Sequence, residues 1–265
     1  MQYDPIKDRI MSLIKIHPAA RKLFFFLLDM LFLRQWYVKK RILNLYSKKD
    51  AIAFYDAGSG FCQYSDFVLS NWEKSTVLAL DLKSEYLQNY SRYAVKQFAG
   101  RFDWITADLV DFVPANKFNL ICAIDILEHI ENDQQVLNNF YQCLEVKGKL
   151  IISTPSDTDE AAKFTSEHVR PGYSESDLRT KLTNAGFDIN EFTYSYGKWG
   201  KLSWKMSIKF PIRLLSISIL MILLLPIYYV CLYPIIYLLM RLDVNSNNYV
   251  GNGIIVVAEK PATSS

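Results

Sequence analysis

The sequence predicts an α/β fold with a largely parallel sheet, and three observations carry that expectation. Between residues 51 and 194 short apolar runs alternate with longer stretches of helical period, the pattern of strands covered by crossover helices. The first run leads into "DAGSG", two glycines placed between a strand and a helix. Later runs end in or near acidic residues, which a parallel sheet gathers at the one edge where open α/β folds bind ligands.

The strands fall at "AIAFYD" (51–56), "TVLALD" (76–81), "FDWITA" (102–107), "FNLICAI" (118–124), "KLIISTP" (149–155) and "FDINEFTYS" (187–195). A seventh is expected in "NGIIVVAEKP" (252–261). Helices are expected over about 63–72, 84–98, 132–144 and 174–184. The last opens on a capping box, "SESD", with Ser174 three residues before Asp177, and Gly186 follows its end.

A length of 265 residues accommodates one large α/β domain with additions, and the net charge of +3 is bland. Its distribution is not. Residues 1–50 carry 11 Lys/Arg against 4 Asp/Glu, residues 51–194 carry 12 against 21, and residues 195–265 carry 7 against 2. The basic residues bracket apolar runs instead of interleaving on one polar face, which favours anionic lipid headgroups over nucleic acid. Cys62, Cys122, Cys143 and Cys231 show neither a C-x-x-C spacing nor a close pair, so no zinc site and no disulfide framework is suggested. The start, "MQYDPIKDRI", lacks the apolar core of a secretory signal.

Gly58 and Gly60 let the backbone turn sharply and approach a ligand where a side chain would collide. A dinucleotide fingerprint wants a third glycine at position 63, and Gln63 stands there, which disfavours a nicotinamide site. Asp81 closes the second strand, where a carboxylate accepts both hydroxyls of a ribose. Asp108 follows the third, where it can accept from an exocyclic adenine amine. The fourth strand leads into "AIDILEHIEND", which puts Asp125, Glu128 and His129 at the same edge.

Taken in order, "DAGSG", "LALD", "TADL" and "DILEHI" resemble the motifs of class I S-adenosylmethionine-dependent methyltransferases, of the small-molecule and quinone-pathway type. The resemblance spans roughly residues 51–194 plus the final strand. It implies a Rossmann-like seven-stranded sheet with helices on both faces and S-adenosyl-L-methionine as cofactor. Gly58 and Gly60 would border its methionine part, Asp81 the ribose, and Asp108 with Leu109 the adenine. Asp56 and the backbone from Ile124 to Asp125 would lie near the amino-acid moiety and sulfonium. Cys62 departs from the pattern, since many members carry a third glycine there.

Methyl transfer from a sulfonium is an in-line displacement, so a base is needed only for a poorly acidic nucleophile. His129, just beyond the fourth strand, and His168, in "FTSEHVRPGYSESDL", are the candidate bases, with a packing or surface role as the alternative for each. Arg170 or Tyr173 would orient an acceptor, or sit in an ordinary turn. No clustering of His and carboxylates calls for a metal.

Leu214 to Met240 is 27 residues without a charge, lying between the sixth and seventh strands. A single membrane crossing would separate two strands that must pair. Pro226 divides the run into pieces of 12 and 14 residues. At about 1.5 Å per residue these reach roughly 18 and 21 Å, short of a hydrocarbon core of about 30 Å. The expectation is an apolar helical hairpin inserted between strands six and seven, re-entrant or interfacial, bent near Pro226 and Pro234. Alternatives are a transmembrane hairpin and a buried core hairpin. Lys198, Lys201, Lys205, Lys209 and Arg213 before the run, and Arg241 after it, put both ends on the cytoplasmic face. The apolar stretch 23–33 near the amino terminus either lies in the interface beside the hairpin or caps the domain as an amphipathic helix.

The expected organisation is a basic helical segment (1–50), a methyltransferase domain (51–197 and 250–261), a membrane-interacting insertion (198–249) and a tail (262–265). The expected function is methyl transfer to a hydrophobic, lipid-like small-molecule acceptor at a membrane, with membrane lipid as partner. The rivals are a membrane-anchored methyltransferase of a soluble or protein acceptor, and a non-catalytic cofactor-binding assembly module.

Overall fold

Seven strands form one sheet in the computed structural model, which describes residues 18–158 and 169–262. Two helices, α1 (Pro18–Leu31) and α2 (Leu33–Leu45), precede β1 (Ala53–Ala57). The chain continues through α3 (Gln63–Asn71), β2 (Thr76–Asp81), α4 (Ser84–Phe98), β3 (Phe102–Thr106) and β4 (Phe118–Ile124). Then come α5 (Asp133–Cys143), β5 (Leu144–Pro155), α6 (Glu175–Asn184) and β6 (Asp188–Ser195). The sheet order is β3-β2-β1-β4-β5-β7-β6, with β7 (Gly253–Glu259) antiparallel to β5 and β6 and the other pairings parallel.

The central strands read as unbroken apolar runs because both faces of the sheet are covered. Phe54, Leu120, Cys122 and Ile255 pack on one face under α2, α3 and α4, with Tyr37, Ile42 and Val68. Ile121, Ile152 and Val256 pack on the other under α5 and α6, with Leu137, Phe140 and Leu178. The N-cap half of the expected capping box of α6 is formed: Ser174 Oγ accepts from the Asp177 N–H at 3.1 Å.

Of the two readings of the amino-terminal segment, α2 takes the cap. Leu33, Tyr37, Val38 and Ile42 are buried in the core. In α1, Phe25 is buried while Leu23 and Phe26 stay exposed.

Between β6 and β7 the chain makes a helical hairpin. Its first arm is α7 (Lys198–Trp204), a π-helical stretch at Lys205–Lys209, and α8 (Phe210–Ile217); its second is α9 (Leu225–Val244). Tyr228 Oη donates to the Met206 carbonyl at 2.7 Å and Tyr229 Oη to the Ser207 carbonyl at 2.6 Å. Near the root the Gly200 N–H donates to Asp243 Oδ1 at 2.8 Å, so the arms run antiparallel.

The bend is not at the prolines. It lies at extended Ser218 and the 3₁₀ turn Ile219–Leu224 that follows. Pro226 sits in the first turn of α9, where its missing N–H would have no partner in any case, and α9 runs on through Pro234. At 20 residues α9 is about 30 Å long. Together with the preceding 3₁₀ turn it makes, among the described residues, one helix long and apolar enough to cross a membrane, Leu220–Val244.

Candidate cofactor site

The carboxyl ends of β1, β2, β3 and β4 lie along one edge of the sheet, where open α/β folds form their ligand crevice, and the turn after β1 sits at that edge. The N–H groups of Gly58 and Ser59 donate to the Leu80 carbonyl at 2.8 and 2.9 Å, tying this turn to β2. Gly58 has φ +75°, and a Cβ on it would stand 2.8 Å from Ile126 Cγ1, in the loop beyond β4. Gly60 has φ +51°, and nothing lies within 4 Å of where its Cβ would point. The first position thus favours glycine by packing and by its φ, the second by its left-handed φ alone. Cys62 has φ +61°. This left-handed conformation costs an L-residue about 1–2 kcal/mol, which is the physical reason a glycine suits that position.

Asp81 stands at the end of β2. Its Oδ2 accepts from the Gly60 N–H and its Oδ1 from the Lys83 N–H, both at 2.9 Å. An ionised carboxylate offers about four lone-pair sites, so each oxygen retains capacity for a ligand hydroxyl. Asp108 is exposed beyond β3, its Oδ1 accepting from the Val110 N–H at 2.9 Å. Leu109 beside it is buried, and Asn139 of α5 donates to the carbonyls of Leu109 and Val110 at 2.9 Å.

Asp56 stands one residue before the end of β1. It is buried, with Oδ2 accepting from Ser65 Oγ at 2.6 Å and the Ser65 N–H at 3.1 Å. Burial pushes its carboxyl up to about 7, against the pull of those two hydrogen bonds. Its visible role is to join β1 to α3.

At the end of β4, beyond Ile124, Asp125 adopts φ +50°, with Oδ1 accepting from Ser153 Oγ at 3.0 Å and Oδ2 paired to Arg34 at the start of α2. The Arg34 N–H also donates to Tyr196 Oη at 3.2 Å. Arg34 Nε and Gln63 Oε1 are buried without hydrogen-bond partners. They are two of eight such buried side-chain atoms among the described residues, the others belonging to Gln35, Arg41, Tyr55, Tyr64, Asn119 and Asn252.

Arg34 was not singled out by sequence. Its only local signal is a charge bounding the apolar stretch 23–33, a stretch read either as interfacial or as an amphipathic cap on the domain.

Glu128 is buried in the 3₁₀ turn Leu127–His129, accepting from Thr154 Oγ1 at 3.1 Å, and burial raises its carboxyl pKa. His129 is half-buried on the same turn. His168 lies outside the described residues. Arg170 is a brace: its guanidinium donates to the carbonyls of Leu127 and Ile130 at 2.9 Å and pairs with Asp133. Tyr173 Oη donates to the same Asp133 carboxylate at 2.6 Å. These two residues hold the turn in place; acceptor orientation is not their evident task.

This edge of the sheet therefore offers carboxylate acceptors at Asp81 and Asp108 beside a glycine turn, with Arg34 paired to Asp125 close by. Residues 55–152 match the model of the methyltransferase domain family. The ubiquinone biosynthesis O-methyltransferase of Rickettsia canadensis is 21% identical over 197 residues, 66% of this chain and 79% of that protein. Among solved structures, the Bradyrhizobium japonicum N-methyltransferase NodS in complex with S-adenosyl-L-homocysteine aligns with a TM-score of 0.55 at 13% identity, over 98% of this chain and 100% of that one. The Haemonchus contortus phosphoethanolamine N-methyltransferase 2 aligns with a TM-score of 0.60 at 16% identity, over 86% of this chain and 53% of that one. At such identities the solved structures establish the fold.

Proposed function

We propose that this chain, which is a class I S-adenosylmethionine-dependent methyltransferase, docks on the cytoplasmic face of a membrane through its hairpin and methylates a hydrophobic, lipid-like acceptor. One observation carries the reading. Ser195 of β6, Gly253 of β7 and Pro155 of β5 are level in the sheet, so the hairpin leaves the domain at the rim that also bears Asp81 and Asp125. The root of the hairpin is thereby set at the cofactor rim, and α9, about 30 Å long, links that rim to a membrane at the tip.

The arms limit how deep the tip can go. Ile217, Leu220, Leu223 and Leu224 at the bend are more than half exposed. Arg213 precedes the Ser218 break by five residues, about 8 Å of helix, and Lys209 and Lys205 follow lower down. A segment inserted about 5–10 Å into the headgroup boundary would bury the apolar tip and leave these cations among the phosphates. A crossing would carry them into hydrocarbon. The second arm is committed to the domain at its far end, where Ile236, Leu239 and Met240 are buried. The Rickettsia relative's name points to a quinone pathway, a class of membrane-soluble acceptor.

The cofactor supplies a methyl group on a sulfonium, already activated for displacement. The chain's part is binding and alignment. Asp81 takes the ribose hydroxyls, Asp108 and the Leu109 loop the adenine, and Arg34 the carboxylate, with Gln63 Oε1 as an acceptor for the ammonium. Arg34 Nε and Gln63 Oε1 are buried without hydrogen-bond partners, which supports this assignment. Asp125, held by Ser153, keeps Arg34 in position. His129 is the candidate base for a hydroxyl acceptor, close to where the methyl must be delivered.

The test is methyl incorporation from labelled S-adenosylmethionine in a membrane fraction containing the chain. Label in the lipid extract supports the reading. Label confined to protein or to water-soluble product overturns it in favour of a hairpin that serves only as an address.

A further inference from the structure

The segment that turns from β6 into the hairpin carries Tyr196, a bulky residue with φ +53°. Left-handed backbone is costly for a large side chain, and such outliers persist where their surroundings hold them, often at functional sites. Here the Asn252 N–H donates to the Tyr196 carbonyl at 3.3 Å, and the side chain reaches back to α2. Its hydroxyl accepts from the Arg34 N–H at 3.2 Å. Burial raises the pKa of that hydroxyl and the Arg34 charge draws it back, so the guanidinium is near it as well.

Helix α2 lacks a cap of its own. It opens on Phe32, whose side chain can accept nothing, and the N–H groups of a first helical turn have no partner within the helix. A Ser or Asn in place of Phe32 would accept from the second or third of them. Arg34 is the second, and Tyr196 supplies the acceptor from 162 residues further along the chain. The grip continues down one side of α2. Tyr37 Oη donates to Asp243 Oδ2 at 2.9 Å, and Lys40 Nζ donates to the Val244 carbonyl at 3.1 Å, both acceptors lying at the end of α9.

Arg34 is thereby held at both ends, its backbone by the root of the hairpin and its guanidinium by Asp125 just beyond β4. The Arg34 and Asp125 side chains remain 28% and 31% exposed, so a ligand at the rim can reach the pair. We propose that Tyr196 is a positioning residue for the cofactor site: by capping α2 at Arg34 it sets the guanidinium where the carboxylate of S-adenosylmethionine is received. The inference rests on the assignment of Arg34 to that carboxylate given above. It makes the root of the hairpin a working part of the cofactor site, whatever the tip is anchored in.

The experiment is calorimetric titration of the full chain with S-adenosylmethionine and with 5′-methylthioadenosine, which lacks the carboxylate. Tyr196→Phe removes the hydroxyl and keeps the ring. It should raise the Kd for S-adenosylmethionine about three- to tenfold, the loss of one hydrogen bond, and leave that for 5′-methylthioadenosine within about twofold of wild type. In an Arg34→Met background the same substitution should change neither Kd further. Tyr196→Asn, a residue that tolerates left-handed backbone, is the second variant and should shift the two ligands in the same unequal way. Equal losses for both ligands overturn the proposal, because Tyr196 then supports only the fold. A loss for S-adenosylmethionine that persists in the Arg34→Met background overturns it too, because Tyr196 then acts through something else. If Arg34→Met weakens S-adenosylmethionine selectively and neither Tyr196 variant does, the proposal falls and the carboxylate assignment stands. If Arg34→Met weakens both ligands equally, the assignment falls and takes the proposal with it.

Discussion

Replacing Gly60 by alanine separates cofactor binding from folding. The new methyl group meets nothing within 4 Å, so the protein loses only the backbone preference at φ +51°, about 1–2 kcal/mol. The same methyl points into space the ligand is assigned, and overfilling a fitted site costs roughly 1–3 kcal/mol, a 5- to 150-fold rise in Kd. Gly58→Ala is the control with the opposite balance. Its Cβ stands 2.8 Å from Ile126 Cγ1 and 3.1 Å from Ile126 Cβ, adding roughly 1–3 kcal/mol of overpacking to the cost at φ +75°. Urea unfolding should therefore rank Gly58→Ala as the less stable variant. Calorimetric titration with S-adenosylmethionine at a temperature where both are folded should show weakened binding by Gly60→Ala. Wild-type affinity in Gly60→Ala would refute the placement of the ligand over this turn.

Asp81→Ala removes two charge-assisted acceptors for the ribose, each contributing about 1.5 kcal/mol or more, and should weaken S-adenosylmethionine binding about a hundredfold by calorimetry. Arg34→Met should raise the Kd for S-adenosylmethionine much more than that for 5′-methylthioadenosine, which lacks the carboxylate; equal losses would remove Arg34 from the methionine end. Leu223→Asp with Leu224→Asp takes two exposed side chains off the tip, about 1.5–3 kcal/mol of burial each, and should abolish flotation on vesicles with the urea midpoint unchanged. The Asp56 carboxyl is raised in the folded state to about 7 from 3.8, so the stability it contributes is full below pH 4 and lost as pH rises toward 7. Asp56→Asn should flatten that decline in urea midpoints taken across pH 4–7.

The sheet was legible because its signal is local. Strands with both faces covered appear as short apolar runs, and the residues at or just past their ends, Asp81 and Asp108 among them, follow from run length. The turn was legible for the same reason, though the different duties of Gly58 and Gly60 depend on Ile126, far along the chain. Arg34 was hidden because its partner Asp125 is distant in sequence and its neighbours are apolar for another purpose: Leu33, Tyr37 and Val38 face the core, not lipid. Arg170 and Tyr173 looked available to an acceptor until the buried Asp133 carboxylate accounted for both. The hairpin bend was misplaced by reading proline as a divider. At the first turn of a helix proline costs nothing, and the actual break follows from Ser218, whose hydroxyl accepts from the Leu220 N–H at 3.2 Å to start the 3₁₀ turn.

The most direct test of the whole account compares lipid extracts of cells with and without this chain by mass spectrometry. The account predicts a hydrophobic species that is present only with the chain and heavier by one methylene than its precursor, and that disappears when Asp81→Ala replaces the wild type. Identical lipid extracts, with the methyl label found in a water-soluble product, would contradict it.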